Sequence, residues 1–211
     1  MIKVNLKTKI ATPEPIPDFL KGLKSETLMD LSWTDVSLGV SDCAWWPEVL
    51  VDNHDPNTEY VDGYIYTINL VPKTVTVTAI VKSLPQEEID AKIAAVKTVK
   101  LADLAAYRYA KEIAGIAING TIIKTDEISQ AKLTGTWATA QINPSIEIEW
   151  KGANGWAKIK KAEIDTIAMA VSGHVEACYK NERKHEDAIV TLTTIAEIES
   201  YDITTGWPDN T

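Results

Sequence analysis

Residues 87–114 read EEIDAKIAAVKTVKLADLAAYRYAKEIA, and no other part of the chain constrains the architecture as strongly. The stretch contains neither proline nor glycine and consists mainly of good helix formers, so it predicts one continuous helix. Pro85, Glu87 and Glu88 stand at its start, where the helix dipole favours negative charge. At about 1.5 Å per residue such a helix spans roughly 40 Å. It therefore separates the part of the chain before it from the part after it.

Apolar residues follow one side of this predicted helix, with one slip in phase, at Ile89, Ile93, Val96, Leu101, Leu104 and Ile113. Such a stripe is typical of a core helix packed on its own domain, and it also suits a seam between copies of the chain. It is too short and irregular to define a coiled coil. Ile89, Ile93 and Val96 are therefore the candidate contacts if the helix mediates assembly of a homo-oligomer.

Before the helix, residues 1–84 have the composition of a small, mainly antiparallel β domain. Residues 43–51 are dense in aromatic and β-branched residues, and Pro47 places this strand at an edge or a bulge. Residues 60–70 and 74–82 predict the two strands of a hairpin. In the second strand apolar residues alternate mainly with threonine, which predicts one buried face and one polar face.

Prolines dominate one short segment near the start of this β domain. Pro13, Pro15 and Pro17 restrict the backbone to extended conformations and exclude a helix there. The segment is therefore predicted to be an arm or a surface strand.

The predicted architecture is α+β, with the long helix connecting two dissimilar parts. Residues 85–117 hold the helix and its exit, and residues 118–211 predict a mainly helical domain with a short β-hairpin. Helical spacing of apolar residues returns over 160–186 and again over 192–200. A chain of 211 residues is long enough for two small domains of this kind.

Three local motifs lie in the predicted helical domain. Thr125 precedes two carboxylates and predicts a helix N-cap. Residues 146–150 and 156–159 predict a β-hairpin around Gly152-Ala153-Asn154-Gly155, since glycine and asparagine tolerate left-handed backbone conformations. Trp207, beside a proline, is expected to pin the last residues onto the helices.

Composition and charge exclude several classes of protein. A hydrophobic fraction of 45% with 24% charged residues is typical of a folded globular protein. The formal charge of -9 disfavours nucleic acid as the main partner, because a phosphate backbone requires a basic face. Two cysteines build neither a disulfide framework nor a four-cysteine metal site, which favours a reducing cytoplasm. No apolar run approaches transmembrane length, so membrane insertion is not expected.

Two clusters have residue types that bind metal ions, but neither has the spacing of a strong motif. His174, Cys178 and Glu182 lie four residues apart on one predicted helix face, where a core cysteine beside a surface histidine is the simpler interpretation. The second cluster occupies a predicted turn, where carboxylates ordinarily serve the turn itself: Asp52, His54, Asp55 and Glu59. Without a catalytic signature or a cofactor motif, the sequence predicts a protein that is not an enzyme and needs no cofactor.

Aromatic residues are unevenly distributed by type, with seven Trp and seven Tyr against one Phe. Such amphipathic rings suit protein interfaces and carbohydrate platforms. They also suit a core, because several of them fall in predicted strands: Trp45, Trp46, Trp150 and Trp156. Both interpretations stay open.

The region of residues 82–208 contains five short phrases in a fixed order. They are Thr125-Asp126 with Ser129-Gln130, Trp150-Lys151 with Gly155-Trp156, His174-Val175-Glu176-Ala177-Cys178, Tyr201-Asp202, and Gly206-Trp207-Pro208. With these phrases the region resembles an uncharacterised domain of tailed-bacteriophage and prophage proteins encoded in the tail and tail-fibre module. The preceding Trp45-Trp46-Pro47 and hairpin are similar to the N-terminal region of such proteins, although Glu48 here separates Pro47 from Val49.

The resemblance implies a structural part of a phage tail, at the baseplate or the tail-fibre attachment. The protein would be made in the host cytoplasm and carried in the virion, with other tail, baseplate or fibre proteins as partners. The arm with Pro13, Pro15 and Pro17 would add to a neighbouring chain, and Trp45 and Trp46 would anchor the docking. Two alternatives stay open: a tail-fibre assembly chaperone that is absent from the finished particle, and a glycan-binding or glycan-processing tail protein.

Overall fold

The computed structural model of the chain describes residues 1–152 and 155–210. The fold is α+β, which confirms the prediction, and the chain divides into two compact units. The first unit is Met1–Ile89 and the second is Asp90–Thr211. The two central residues of the predicted corner, Ala153 and Asn154, lie outside the described residues.

Two small sheets build the first unit. One sheet has the order β2-β1-β3 and is antiparallel, and the other has the order β4-β6-β5. Short helical segments cover residues Asp18–Leu20, Ser25–Leu28 (α1) and Val36–Leu38. The strands are β1 (Ile2–Asn5), β2 (Ile10–Thr12), β3 (Cys43–Trp46), β4 (Glu48–Val51), β5 (Glu59–Asn69) and β6 (Thr74–Ser83).

Pro47 is the point at which the chain passes from the first sheet to the second. Proline has no N–H group for a strand ladder, so β3 ends at Trp46 and β4 begins at Glu48. The Pro47 carbonyl still accepts a hydrogen bond from the Val75 N–H at 2.9 Å. The predicted hairpin is present as antiparallel β5 and β6, while β4 pairs with β6 in parallel.

Strand β3 is buried on both of its faces. Ala44 and Trp46 pack with Val4 and the valines of β6, whereas Cys43 and Trp45 pack on the opposite side with a second apolar cluster. Side chains alternate across a strand, so a continuous run of buried residues means that β3 lies between two layers. The tryptophan-rich phrase is therefore the centre of the first unit.

Helices and two hairpins build the second unit. The predicted long helix is α2 (Gln86–Ile113), whose first turn belongs to the first unit, and it is followed by the hairpin of β7 (Ile116–Ile118) and β8 (Thr121–Ile123). The second hairpin pairs β9 with β10 and leads into a long helix. The remaining elements are α3 (Glu127–Ile142), β9 (Glu147–Gly152), β10 (Gly155–Lys160), α4 (Lys161–Thr191) and α5 (Ile195–Ser200).

Helices α2 and α4 run antiparallel and are joined by side-chain contacts along their length. The Lys97 ammonium donates to the Val190 carbonyl at 2.7 Å near one end of the pair. Near the other end, the His174 Nε2 atom lies 3.1 Å from the Lys111 carbonyl oxygen. A separate apolar core forms where α3, α4 and the two hairpins meet, with Leu133, Ile164, Ile167 and Val171 buried in it. Within the described ranges, no helix is both long and apolar enough to cross a membrane.

The residue that caps α3 is Asp126, so the prediction that Thr125 is the N-cap is wrong. The Asp126 carboxylate accepts hydrogen bonds from the Ser129 N–H at 3.0 Å and the Ser129 hydroxyl at 2.7 Å. These bonds stabilise the ionised form and hold the pKa of Asp126 below its usual value. Thr125 is fully buried because its side chain turns inward instead, to the end of α2.

Replacing Asp126 tests whether the stability contributed by the N-cap depends on the charge of its carboxylate. Because the pKa of Asp126 is lower in the folded state, the carboxylate contributes stability above its unfolded pKa and loses it as pH falls through the folded pKa. Asp126→Asn keeps the acceptor but does not titrate. We expect the melting temperature of the native chain to exceed that of the variant at pH 7, and the difference to shrink below about pH 4. A difference independent of pH would contradict the assigned cap.

Candidate interaction surface

The structure buries both tryptophans that were expected to anchor a partner. Trp45 and Trp46 are only 1% and 2% exposed. The Trp45 Nε1–H donates to the Glu14 carbonyl at 3.0 Å, and the Trp46 Nε1–H donates to the Met29 carbonyl at 3.1 Å. Each indole therefore packs inside the first unit with its polar atom satisfied there. The core interpretation of these two residues is therefore correct, and neither indole is exposed to anchor a partner.

The proline-rich segment is extended, as predicted, but it is held on its own unit. β2 at its start pairs with β1, and the Lys3 ammonium lies 2.7 Å from the Glu14 carboxylate. Ile16 packs against the apolar cluster that contains Trp45. Pro13 and Pro15 are exposed, and Pro17 is half-buried. Contact of these prolines with a neighbouring chain stays a prediction. Such contact would not require β2 to separate from β1.

The predicted self-association residues lie on the first half of α2. Ile89, Ile93 and Val96 are half-buried, and Val99 beside them is exposed. The Lys100 ammonium donates to the Glu199 carbonyl at 3.0 Å, which ties this helix to α5. Pairing with another copy through these residues stays a prediction.

The sheet β4-β6-β5 exposes several large apolar residues. Val75 and Val77 near the start of β6 are buried, but the same strand is exposed from Ile80 onward. We call seven exposed apolar residues of this sheet the outer sheet surface. They are Val49, Leu50, Val51, Tyr64, Ile65, Ile80 and Val81.

Strand register divides the outer sheet surface between the two sheet faces. Directly opposed residues share a face, so Val51 and Ile65, which both pair with Thr78, lie on the same side. Leu50 pairs with Val77 and Tyr64 pairs with Ala79, so Leu50 and Tyr64 lie on the other side. The outer sheet surface therefore has apolar side chains on both faces, where a sheet with one core would bury one of them. The sequence predicts that one whole face of β6 is buried. This prediction is correct only for the first half of the strand.

Carboxylates lie at one end of the outer sheet surface, where β4 and β6 end and β5 begins. A bulge between Val61 and Gly63 sets Asp62 beside Lys82, at 2.5 Å between carboxylate and ammonium, which raises the pKa of Lys82. The acidic rim consists of Asp52, Asp55, Glu59 and Asp62, at the ends and bulge of β4 and β5.

The acidic rim is organised by turn hydrogen bonds. The His54 ring Nδ1 lies 2.6 Å from the Asp52 carboxylate, and this contact holds the pKa of Asp52 below its usual value. The Asp55 N–H donates to the Glu59 carboxylate at 2.9 Å. These contacts fit the turn interpretation of this cluster. In the part of the chain that the structure describes, no three His, Cys, Asp or Glu side chains are grouped for a metal ion.

In the candidate metal cluster on α4, Glu182 is instead part of a largely buried polar network in the second unit. Arg108 pairs with Glu112 on its own helix, and its Nε atom lies 3.2 Å from the Glu182 carboxylate of α4. The Tyr179 ring covers the guanidinium, with its centroid 4.6 Å from the Arg108 Cζ atom. Because Glu182 is committed to Arg108, it does not serve as a ligand beside His174. The network joins α2 to α4.

His174 is buried, so its predicted position on the surface is wrong. Its Nε2 atom faces the Lys111 carbonyl, which can only accept, so this nitrogen carries the hydrogen. Cys178, 3.8 Å from the same nitrogen, is a core cysteine as predicted. Burial raises the pKa of the Cys178 thiol, which keeps it protonated near neutral pH. The pair has the arrangement of a packing contact and lacks an activated thiolate.

Buried side chains of α4 hold residues 201–207 in place by hydrogen bonds and ring stacking. We call these contacts the clasp. The His185 Nε2–H and the Asn181 amide both donate to the Thr205 carbonyl at 2.9 Å, and the His185 Nδ1 lies 2.8 Å from the Tyr201 hydroxyl. Trp207 stacks on His185, with ring centroids 5.8 Å apart. The expectation that Trp207 pins the last residues onto the helices is confirmed.

Sequence reasoning missed the outer sheet surface. Its signal is the unbroken apolar run Val49-Leu50-Val51 next to a hairpin with isoleucine on its threonine-rich face. The same composition is typical of a buried strand. Only the position of β4 at the edge of its sheet distinguishes an exposed apolar strand from a buried one.

Residues 95–205 match the family described as Domain of unknown function (DUF4376). This is more than half of the chain, and the chain belongs to this family. No curated protein and no solved structure gives a significant match. The matched residues include Arg108, His174 and His185, and they exclude the outer sheet surface.

Gly206 offers a direct test of the clasp. Its φ is +74°, and an added Cβ would lie 2.8 Å from the Asn181 Oδ1, which is fixed by the bond to Thr205. Gly120 has a similar φ of +78°, and a Cβ added there would have no other atom within 4 Å. Each Gly→Ala change strains the backbone by about 1–2 kcal/mol. We expect Gly206→Ala to lower the free energy of unfolding by about 1–3 kcal/mol more, because it also disrupts the buried amide.

Denaturant unfolding of both alanine variants and the native chain measures this difference. Equal losses of stability in the two variants would show that Asn181 moves freely, and would contradict the clasp.

Proposed function

We propose that this protein is a non-enzymatic structural component of a bacteriophage tail, at the baseplate or the tail-fibre attachment. In this proposal it is made in the host cytoplasm and retained in the virion. It acts by burying the outer sheet surface against another tail, baseplate or fibre protein. The observation that carries the proposal is this exposed apolar surface, and the resemblance of the ordered phrases supplies the biological setting.

The edges of the sheet favour a protein partner over a small molecule. Among the described strands, β4 and β5 each pair only with β6, but β2 lies close to β5, so the edge open to a further strand is that of β4. An open edge with aliphatic side chains on both faces is a template for strand addition. Val49, Leu50 and Ile65 are the proposed central contacts, because each is about half exposed.

The acidic rim favours a partner with basic flanks. Within the described residues, no lysine or arginine forms an ion pair with Asp52, Asp55 or Glu59; the His54 ring contacts Asp52, and the Lys82 ammonium pairs with Asp62. Two copies joined through this surface would bring their rims together, and like charges at an interface disfavour association. We therefore commit to a different chain, with an apolar strand between basic residues. Homo-oligomer contacts, where they form, would use Ile89, Ile93 and Val96 instead.

A virion assay tests this role with a matched pair of variants. In a phage that carries the chain, we expect mass spectrometry of purified particles to find it in stoichiometric amount. Ile65→Glu places a charge in the outer sheet surface and is expected to remove the chain from particles. Ile128→Glu changes an equally exposed isoleucine in the second unit and is expected to leave incorporation unchanged. Circular dichroism confirms that both variants fold.

Two outcomes would overturn the proposal. A chain abundant in lysates but absent from native particles would indicate an assembly chaperone. Normal incorporation of Ile65→Glu would show that the outer sheet surface is not the docking site.

A further inference from the structure

A cavity of about 400 Å³ lies on the surface of the second unit, between α2 and α5. Its apolar lining includes Val96 and Val99 of α2 and Ile198 of α5. Val96 is half-buried and Ile198 is fully buried, whereas Val99 is 62% exposed. The surface therefore combines a projecting valine with an apolar hole.

The side of α2 that carries Val99 is distinct from the side that packs in the core. Leu104, five residues further on, is only 1% exposed, and at about 100° per residue it lies roughly 140° away from Val99 around the helix. The residues on the Val99 side follow the spacing 4-3-4 that keeps side chains on one helix face. We call these four residues the pairing face: Lys92, Val96, Val99 and Asp103.

The pairing face is complementary to itself when two copies of α2 run antiparallel. With a twofold axis between Val96 and Val99, each of these valines faces the other valine of the second copy. Lys92 of each copy then faces Asp103 of the other, so opposite charges meet at both ends. A parallel pair in register would instead set lysine against lysine and aspartate against aspartate, which disfavours association.

The hole is held open by contacts within one copy. The Lys100 ammonium donates to the Glu199 carbonyl at 3.0 Å and ties α5 to α2 beside the cavity. Ala95 adds a small side chain to the lining, which leaves room above the helix backbone. Val99 of a second copy would therefore enter a preformed hole, as knobs enter holes in paired helices.

We propose that a second copy of this chain occupies this groove, so that the protein forms a twofold-symmetric dimer through antiparallel α2 helices. A contact that uses the same surface on both copies closes at two subunits and does not continue into a filament. The dimer goes beyond the proposed docking and does not depend on it, because the outer sheet surface belongs to the other unit.

Sedimentation equilibrium of the full-length chain tests the dimer. Between about 1 and 200 µM the native chain is expected to shift from monomer to dimer. Val99→Asp would bury a carboxylate in the hole and is expected to raise the dissociation constant about a hundredfold or more. Val36→Asp changes a valine of the first unit that is 78% exposed, and is expected to leave the dissociation constant unchanged.

An exchange of charges tests the antiparallel arrangement. Lys92→Asp and Asp103→Lys each place like charges opposite one another, and each is expected to raise the dissociation constant about tenfold or more. The double variant that carries both changes pairs opposite charges again and is expected to recover most of the native affinity. Circular dichroism checks the fold of every variant, and the charge variants test the dimer even if Val99→Asp does not fold.

Three results would overturn the dimer. A native chain that is monomeric at every concentration would leave the groove to a different protein. A folded Val99→Asp variant that dimerises as tightly as the native chain would place the contact elsewhere. A double charge variant no tighter than the single ones would contradict the antiparallel pairing. Ile65→Glu, which disables the proposed docking, is expected to dimerise normally, so the two proposals fail separately.

Discussion

The carbonyl groups at the end of α2 must find hydrogen-bond donors inside the second unit, and its packing is arranged around them. The final carbonyls of a helix have no partner within the helix. Thr125 donates its hydroxyl to the Glu112 carbonyl and accepts from the Gly115 N–H, while His174 donates to the Lys111 carbonyl. The Gln130 amide in turn donates to the Thr125 carbonyl, so these hydrogen bonds form a connected chain. An unmet buried carbonyl costs about 1–3 kcal/mol, which explains why these polar side chains are placed in a core.

This constraint also accounts for several of the ordered phrases in residues 82–208. Thr125 and Gln130 close the end of α2, His174 and Cys178 pack against it, and Trp207 completes the clasp. They are structural residues with their polar atoms committed. The first unit is different, since its outer sheet surface has apolar groups without such partners in the unit. Docking is therefore proposed for the first unit, while the second supplies a scaffold.

The sequence predicted the parts of this structure that depend on local pattern. The long helix predicted over residues 87–114 runs Gln86–Ile113, and the edge strand predicted at Pro47 is present as β3 and β4, each at the edge of its sheet. Errors arose where a distant group decides the outcome. His174 was placed on the surface because its partner, the Lys111 carbonyl, lies 63 residues away in the chain. Thr125 and Asp126 are both good N-caps, and only the position of α2 selects between them. Exposure of Val49 and Ile65 depends on strand order, which composition does not encode.

Backbone hydrogen–deuterium exchange, compared between the free protein and assembled tails, tests the docking role most directly. Burial of the outer sheet surface against a partner strand slows exchange of the amides that it covers. We expect amides of β4 and β5 to gain protection in the assembled tail, while those of α4 keep the exchange rates of the free protein. Unchanged exchange in β4 and β5, with new protection confined to α2 or to the second unit, would contradict docking through this sheet.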